Sequence, residues 1–196
     1  EAATQTVFAA AKEETLPVLT AVSVAFKEGE AVFAATDRYR LAVKSVPWEG
    51  ESREKPILLR AKTLGDIARS GGLLRTELSI DSGSAIFGAA SGGRRSTMPI
   101  LDGAFPDYEV LLPKDGTTSA EADVAELLEA VKRVRIVAER PNIPLRLKFG
   151  NEEVLLSAGG DADARANEPV ECTIEGDAVE VAFNPEYLME ALGAVR

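Results

Sequence analysis

Two stretches of this chain, offset by about 123 residues, carry the same order of apolar positions, and that repetition limits the possible folds more than any local motif does. Thr6-Val7-Phe8 falls on Glu129-Ala130-Val131, and Val24-Ala25-Phe26 on Leu147-Lys148-Phe149. Val32-Phe33-Ala34-Ala35 falls on Leu155-Leu156-Ser157-Ala158, Leu58-Leu59 on Val181-Ala182, and Leu64 to Ala68 on Tyr187 to Ala191. Identities are few, so the match lies in which positions are apolar rather than in which residues fill them. A single offset that serves the whole span is the mark of two copies of one module.

The module reads as a helix, two strands, a connection, a strand, a second helix and further strands. In the second copy, Asp123 with Glu126 makes a capping-box-like start. Val124, Leu127, Leu128, Val131, Val134 and Ala138 then recur at helical spacing to about Glu139. Asn184-Pro185 opens the later helix, Asn as the cap and Pro in the first helical position. "LRLKF" (145–149) and "VEVAF" (179–183) alternate as strands do, and Lys27-Glu28-Gly29, Ser82-Gly83, Gly92-Gly93 and Gly150-Asn151 mark turns. "AATDRYRLAV" (34–43) looks like a strand, yet it sets an Asp, two arginines and a Tyr inside an apolar run. After its later helix the first copy continues with "ELSIDSGSAIFGAA" and "RRSTMPI", whereas the second reaches Arg196 inside that helix. The second copy is therefore expected to be short of its final strands by about 30 to 40 residues. The expected fold class is α+β, two similar domains in tandem, each with two helices packed on antiparallel sheets. Residues 1–113 form the first and 114–196 the second, joined by the linker-like "PKDGTTSA" (113–120).

Composition narrows the chemistry. The 196 residues contain no His and one Cys, which removes the commonest general base and any zinc-type cluster. Cys172 cannot form an internal disulfide, suits a reducing cytoplasm, and is most simply a small core residue. No apolar stretch approaches the roughly 18 residues that span a bilayer, and the polar start does not read as a secretory signal. A formal net charge of −10 keeps the surface as a whole from clinging to phosphates, so any nucleic-acid contact must be confined to one basic face.

Three segments carry a family resemblance. "ATDRYRLAV" (35–43) followed by "LDGAFPDYEVLLPK" (101–114) resembles the bacterial sliding clamp family, the beta subunit of DNA polymerase III. "AFNPEYLMEAL" (182–192) looks like the corresponding segment of that family's last domain. The resemblance implies a DNA-clamp fold, with this chain as the middle domain and the first part of the third. It also implies a cytoplasmic, non-catalytic processivity factor without cofactors. The family's parent is a head-to-tail homodimeric ring that encircles duplex DNA and tethers the polymerase. A ring holds DNA topologically, so it needs only weak contacts, which agrees with an acidic chain.

The resemblance further implies site residues. In the family the two motifs meet at the junction of the second and third domains. There they line an apolar groove for short linear peptides from polymerases, the clamp loader and repair proteins. Carried over, the groove comprises Leu19, Thr36, Arg38, Tyr39, Arg40, Leu41, Pro106, Val110 and Leu111. Leu19, Leu41 and Pro106 are expected to give apolar walls, and Thr36 and Arg40 hydrogen bonds to the peptide. Leu19 and Leu41 also suit an ordinary core. Asp37 is read as a turn cap or an arginine partner. The family often has a smaller residue and a His where this chain has Arg38 and Tyr39, and a basic residue where it has Glu109-Val110. Lys12, Lys62, Arg69, Lys132 and Arg133 are the expected DNA-facing residues, touching phosphates without reading sequence. Ile136 and Val137 lie off the buried stripe and are expected at the family's dimer interface. The rival reading is a protein-interaction scaffold that does not encircle DNA. A catalytic reading lacks a His, a phosphate-binding glycine loop and a nucleophile elbow.

Overall fold

The computed structural model describes residues 1–13, 16–70, 77–81, 83, 85–113, 116–136, 144–150, 152–159 and 166–195. The chain divides into two compact units, Glu1–Leu111 and Leu112–Arg196.

In the first unit a short helix α1 (Ala2–Thr6) and a 3-10 turn (Pro17–Thr20) lead into β1 (Ala21–Lys27), β2 (Glu30–Thr36) and β3 (Leu41–Pro47). β4 (Ile57–Arg60) runs straight into helix α2 (Ala61–Ser70), and β5 (Glu77–Asp81), β6 (Ile86–Ser91) and β7 (Arg94–Leu101) close the unit. All pairings are antiparallel, in one seven-stranded sheet of order β3-β2-β1-β4-β7-β6-β5. Position in the sheet explains the sequence. β1 and β2, inside the sheet, are buried almost without a break, while edge strand β3 alternates. Val22, Val24, Phe26, Phe33, Ile57 and Leu59 form one core with Leu64 of α2 and Ala2 and Ala3 of α1. The other face carries small groups, Ala21, Ser23, Ala34 and Thr36, together with Val32 and Leu58. Trp48, beyond β3, packs on Phe26 with ring centroids 4.8 Å apart.

The second unit holds β8 (Ser119–Ala122), α3 (Val124–Arg135), β9 (Leu145–Gly150), β10 (Glu153–Ala158), β11 (Ala166–Glu175), β12 (Val179–Phe183) and α4 (Pro185–Ala194). Its sheet order is β12-β9-β10-β11-β8. β8 begins at Ser119, so the last two residues of the linker-like segment belong to a strand. α3 starts as its sequence dictates, with Asp123 Oδ1 accepting from the Glu126 amide at 2.9 Å. Asn184 caps α4 the same way, accepting from the amides of Glu186 and Tyr187. Ala130, Val131 and Val134 of α3 pack on Leu145, Leu147, Val154 and Leu156. Cys172 is buried there, and that burial raises its thiol pKa. Gly176, at φ +107°, passes under β8, where a Cβ would lie 2.3 Å from the Thr117 carbonyl oxygen.

Strand pairs β2/β10 and β4/β12 and helices α2/α4 follow the offset read from the sequence. The first helices do not. The offset sets Thr6 against Glu129, but the buried residues of α1 are Ala2, Ala3 and Thr6 and those of α3 are Ala130, Val131 and Val134. By burial, Thr6 corresponds to Val134, because the connections from helix to first strand differ in length. α1 ends at Thr6, and Val7–Ala9 is a 3-10 turn rather than more α-helix. Among the described residues no helix is long and apolar enough to cross a membrane.

Candidate peptide-binding face

"AATDRYRLAV" is not one strand. β2 ends at Thr36, β3 begins at Leu41, and the two residues face each other across the ladder. The polar residues between them make the turn. The Thr36 hydroxyl donates to the Arg40 carbonyl oxygen at 2.7 Å and accepts from the Arg38 amide at 3.1 Å. Asp37 Oδ1 accepts from the amides of Tyr39 and Arg40, and Oδ2 from Arg40 Nε at 3.0 Å. The Asp37 and Arg40 side chains are only 12% and 11% exposed, and the guanidinium lies over the Phe8 ring, 5.6 Å from its centroid. Thr36 and Arg40 both take part in the turn's own hydrogen bonds. Asp37 proves the organising residue. Its Asx-turn spacing, two and three residues ahead of the amides it accepts from, is the sequence signal for that role.

Arg38 adopts φ +82°, a conformation that suits glycine. Arg38→Gly is expected to stabilise the first unit by about 0.5–1 kcal/mol, because a β-carbon is disfavoured in the left-handed region. Urea unfolding followed through Trp48 checks it.

All nine predicted groove residues lie in the first unit. Thr36 and Leu41 share the sheet face away from the helices, Thr36 buried and Leu41 half-buried, and Leu19 is buried in the turn before β1. The segment after β7 comes down on that face. Gly103, at φ +138°, approaches Val18 so closely that a Cβ would lie 2.4 Å from Val18 Cγ1, with Leu58 next to it. Lys27 pairs with Glu109 at 3.7 Å, and Phe105 meets Tyr108 edge-on. Burial is the main cause that raises the Tyr108 pKa, with Glu109, Glu30 and Asp107 adding to it. Pro106 on this segment is exposed, Val110 and Leu111 are 72% and 68% exposed, and Tyr39 at the turn is 76% exposed. Val43, two residues beyond Leu41 on the same face, also stands partly in solvent. It was not among the predicted residues, although the period of two from Leu41 points to it. None of the nine lines the cleft between α1, α2 and Trp48 on the helix side of the sheet.

Arg69, Lys132 and Arg133 among the expected DNA-facing residues have carboxylate partners. Arg69 bonds Asp66 at 2.6 Å and Lys132 bonds Glu129 at 2.7 Å. Arg133 does not stand clear of the body; it forks onto Glu168 of β11 through Nε and Nη2. That hydrogen bond raises the Arg133 pKa, and the Lys132 hydrogen bond lowers that of Glu129. Lys12 and Lys62 are exposed. Ile136, at the end of α3, is 65% exposed, and Val137 lies outside the described residues.

Residues 1–107 match the family model for the central domain of the DNA polymerase III beta subunit, and residues 109–196 that for its C-terminal domain. Among curated proteins, the Streptomyces coelicolor beta sliding clamp is 40% identical over 97% of this chain and 52% of its own length. The Micrococcus luteus beta sliding clamp is 43% identical over 89% and 57%. The chain thus spans about half the length of the curated relatives it matches. Among solved structures, the sliding clamp of Pseudomonas aeruginosa matches with a TM-score of 0.88 at 28% identity, over 99% of this chain and 54% of that one. The Bacillus subtilis clamp matches with a TM-score of 0.88 at 25% identity, over 99% and 52%. With the first unit matched to one domain and the second to the next, this chain belongs to the DNA polymerase III beta subunit family.

Proposed function

We propose that this chain is part of a sliding clamp of bacterial DNA replication. The clamp is a cytoplasmic, non-catalytic processivity factor that closes as a homodimeric ring around duplex DNA and tethers the replicative polymerase. The observation that carries this reading is the succession of two family domains, central then C-terminal, over both units. Residues 1–113 belong to the middle domain and residues 114–196 to the third.

The face bearing Leu19, Leu41, Pro106, Val110 and Leu111 is the docking surface for a linear peptide, with Tyr39 and Arg38 at its rim. Support comes from the exposed apolar side chains on one edge of a packed sheet, rimmed by polar groups. Lys12, Lys62, Arg69, Lys132 and Arg133 contact phosphates weakly and without sequence preference. Ile136 and Val137 belong to the contact that closes the ring.

A chimera tests the reading. Residues 1–113 replace the central domain of the Micrococcus luteus clamp, and processive synthesis on primed circular DNA is measured. Synthesis is expected to be retained, and Leu111→Asp in the chimera is expected to reduce it at least tenfold. A folded chimera that fails to close on DNA would favour the scaffold reading, and one insensitive to Leu111→Asp would remove the peptide face.

A further inference from the structure

Arg38 sits where a β-carbon is disfavoured, yet the turn holds it there firmly. Its amide donates to Thr36 Oγ1 at 3.1 Å, and the next two amides donate to Asp37 Oδ1. Glycine would adopt φ +82° and keep the same backbone hydrogen bonds without the strain. What the strained position adds is a side chain in solvent. The two arginines of the turn differ in this respect. Arg40 is nearly buried, paired with Asp37 and laid over Phe8. Arg38 is exposed, and among the described residues no carboxylate pairs with it.

The face that begins at this turn is charged unevenly along β2. At the Thr36 end the turn carries two arginines against one aspartate. The Glu30 end lies about 20 Å away, at roughly 3.3 Å per residue. There Lys27 faces Glu30 in the ladder and pairs with Glu109 at 3.7 Å, and Asp107 Oδ1 accepts from the Glu109 amide at 3.2 Å. Glu30, Asp107 and Glu109 all act on the Tyr108 hydroxyl, adding to burial in raising its pKa. Between the two ends Leu41 and Val43 stand partly in solvent.

We propose that Arg38 selects the peptide that docks on this face, by pairing with an acidic side chain that flanks the peptide's apolar anchors. The inference rests on the peptide-binding reading of the face and adds to it the charge of the ligand. An extended peptide turns alternate side chains to the sheet, so two apolar residues with one between them can meet Leu41 and Val43. An acidic residue at the turn end then finds an exposed guanidinium, and the carboxylates near Tyr108 disfavour the same residue at the other end. Exposed rim charges change affinity by only a few-fold, so Arg38 sorts ligands while the apolar contacts hold them.

The test is an immobilised array of short peptides with Leu at two alternate positions and the flanking positions varied, probed with the whole 196-residue chain. Asp or Glu at one flank is expected to raise capture about threefold to fivefold over Lys or Arg. The gain is expected to shrink in about 0.5 M sodium chloride. Arg38→Gly, which suits the turn, is expected to abolish the charge preference and retain capture by the leucines. Arg38→Glu is expected to reverse the preference. An acidic preference that survives Arg38→Gly, or indifference to flanking charge in the unaltered chain, would overturn the proposal and leave the peptide face standing. Capture that is absent, independent of the leucines or undiminished by Leu111→Asp would remove the face itself, and the proposal with it.

Discussion

Asp37→Ala is expected to destabilise the first unit by about 3 kcal/mol, read as a lower urea midpoint of Trp48 emission. The carboxylate accepts two turn amides and the Arg40 guanidinium, and both side chains are nearly nine-tenths buried. Removing it leaves a cation in a low-dielectric setting without its carboxylate, and that desolvation cost dominates the effect. The exposed Arg69–Asp66 pair sets the scale from the other side. Its partners are 64% and 62% exposed, and breaking it is worth about 0.5 kcal/mol or less. A midpoint for Asp37→Ala close to that of Asp66→Ala would mean that the turn is held by its backbone alone.

Phe26→Ala is expected to cost about 4 kcal/mol, the sum of lost burial and the cavity left behind. Phe26 is 1% exposed at the centre of the first core, and its ring supports Trp48. The substitution should therefore also red-shift native Trp48 emission, a signature that a surface change such as Arg38→Gly does not give. Calorimetry is expected to lower the transition of the first unit alone, since the second has its own core. A single transition displaced as a whole would mean that the units unfold together.

The strands and the later helices were legible because their signals are local. Period-two runs such as "VEVAF" and the Asn184-Pro185 start need no knowledge of the rest of the chain. The first helix was misaligned because a constant offset assumes constant connections, and the link from Thr6 to β1 is longer than that from Val134 to β9. Connections tolerate added residues at little cost in free energy, so they are where an offset fails. The stretch 34–43 reads as one strand because apolar runs flank it, while Asp37 was legible as a turn cap or arginine partner, and it has both roles. The peptide face proposed around Leu41 and Leu111 rests on resemblance. Periodicity alone adds only Val43, because exposure of Val110 and Leu111 depends on how the segment after β7 is laid down.

β12 offers five residues of backbone with hydrogen bonds on one side only among the described strands, and Val179 and Phe183 at its ends stand partly in solvent. Such a border invites growth of intermolecular sheet. The charges along it, Glu180 and its partner Arg146, are what discourage stacking, and dissolved ions weaken that protection. Concentrated stocks of this chain therefore keep best in dilute buffer, and Ala182→Lys, on the exposed side of β12, is expected to lengthen their shelf life.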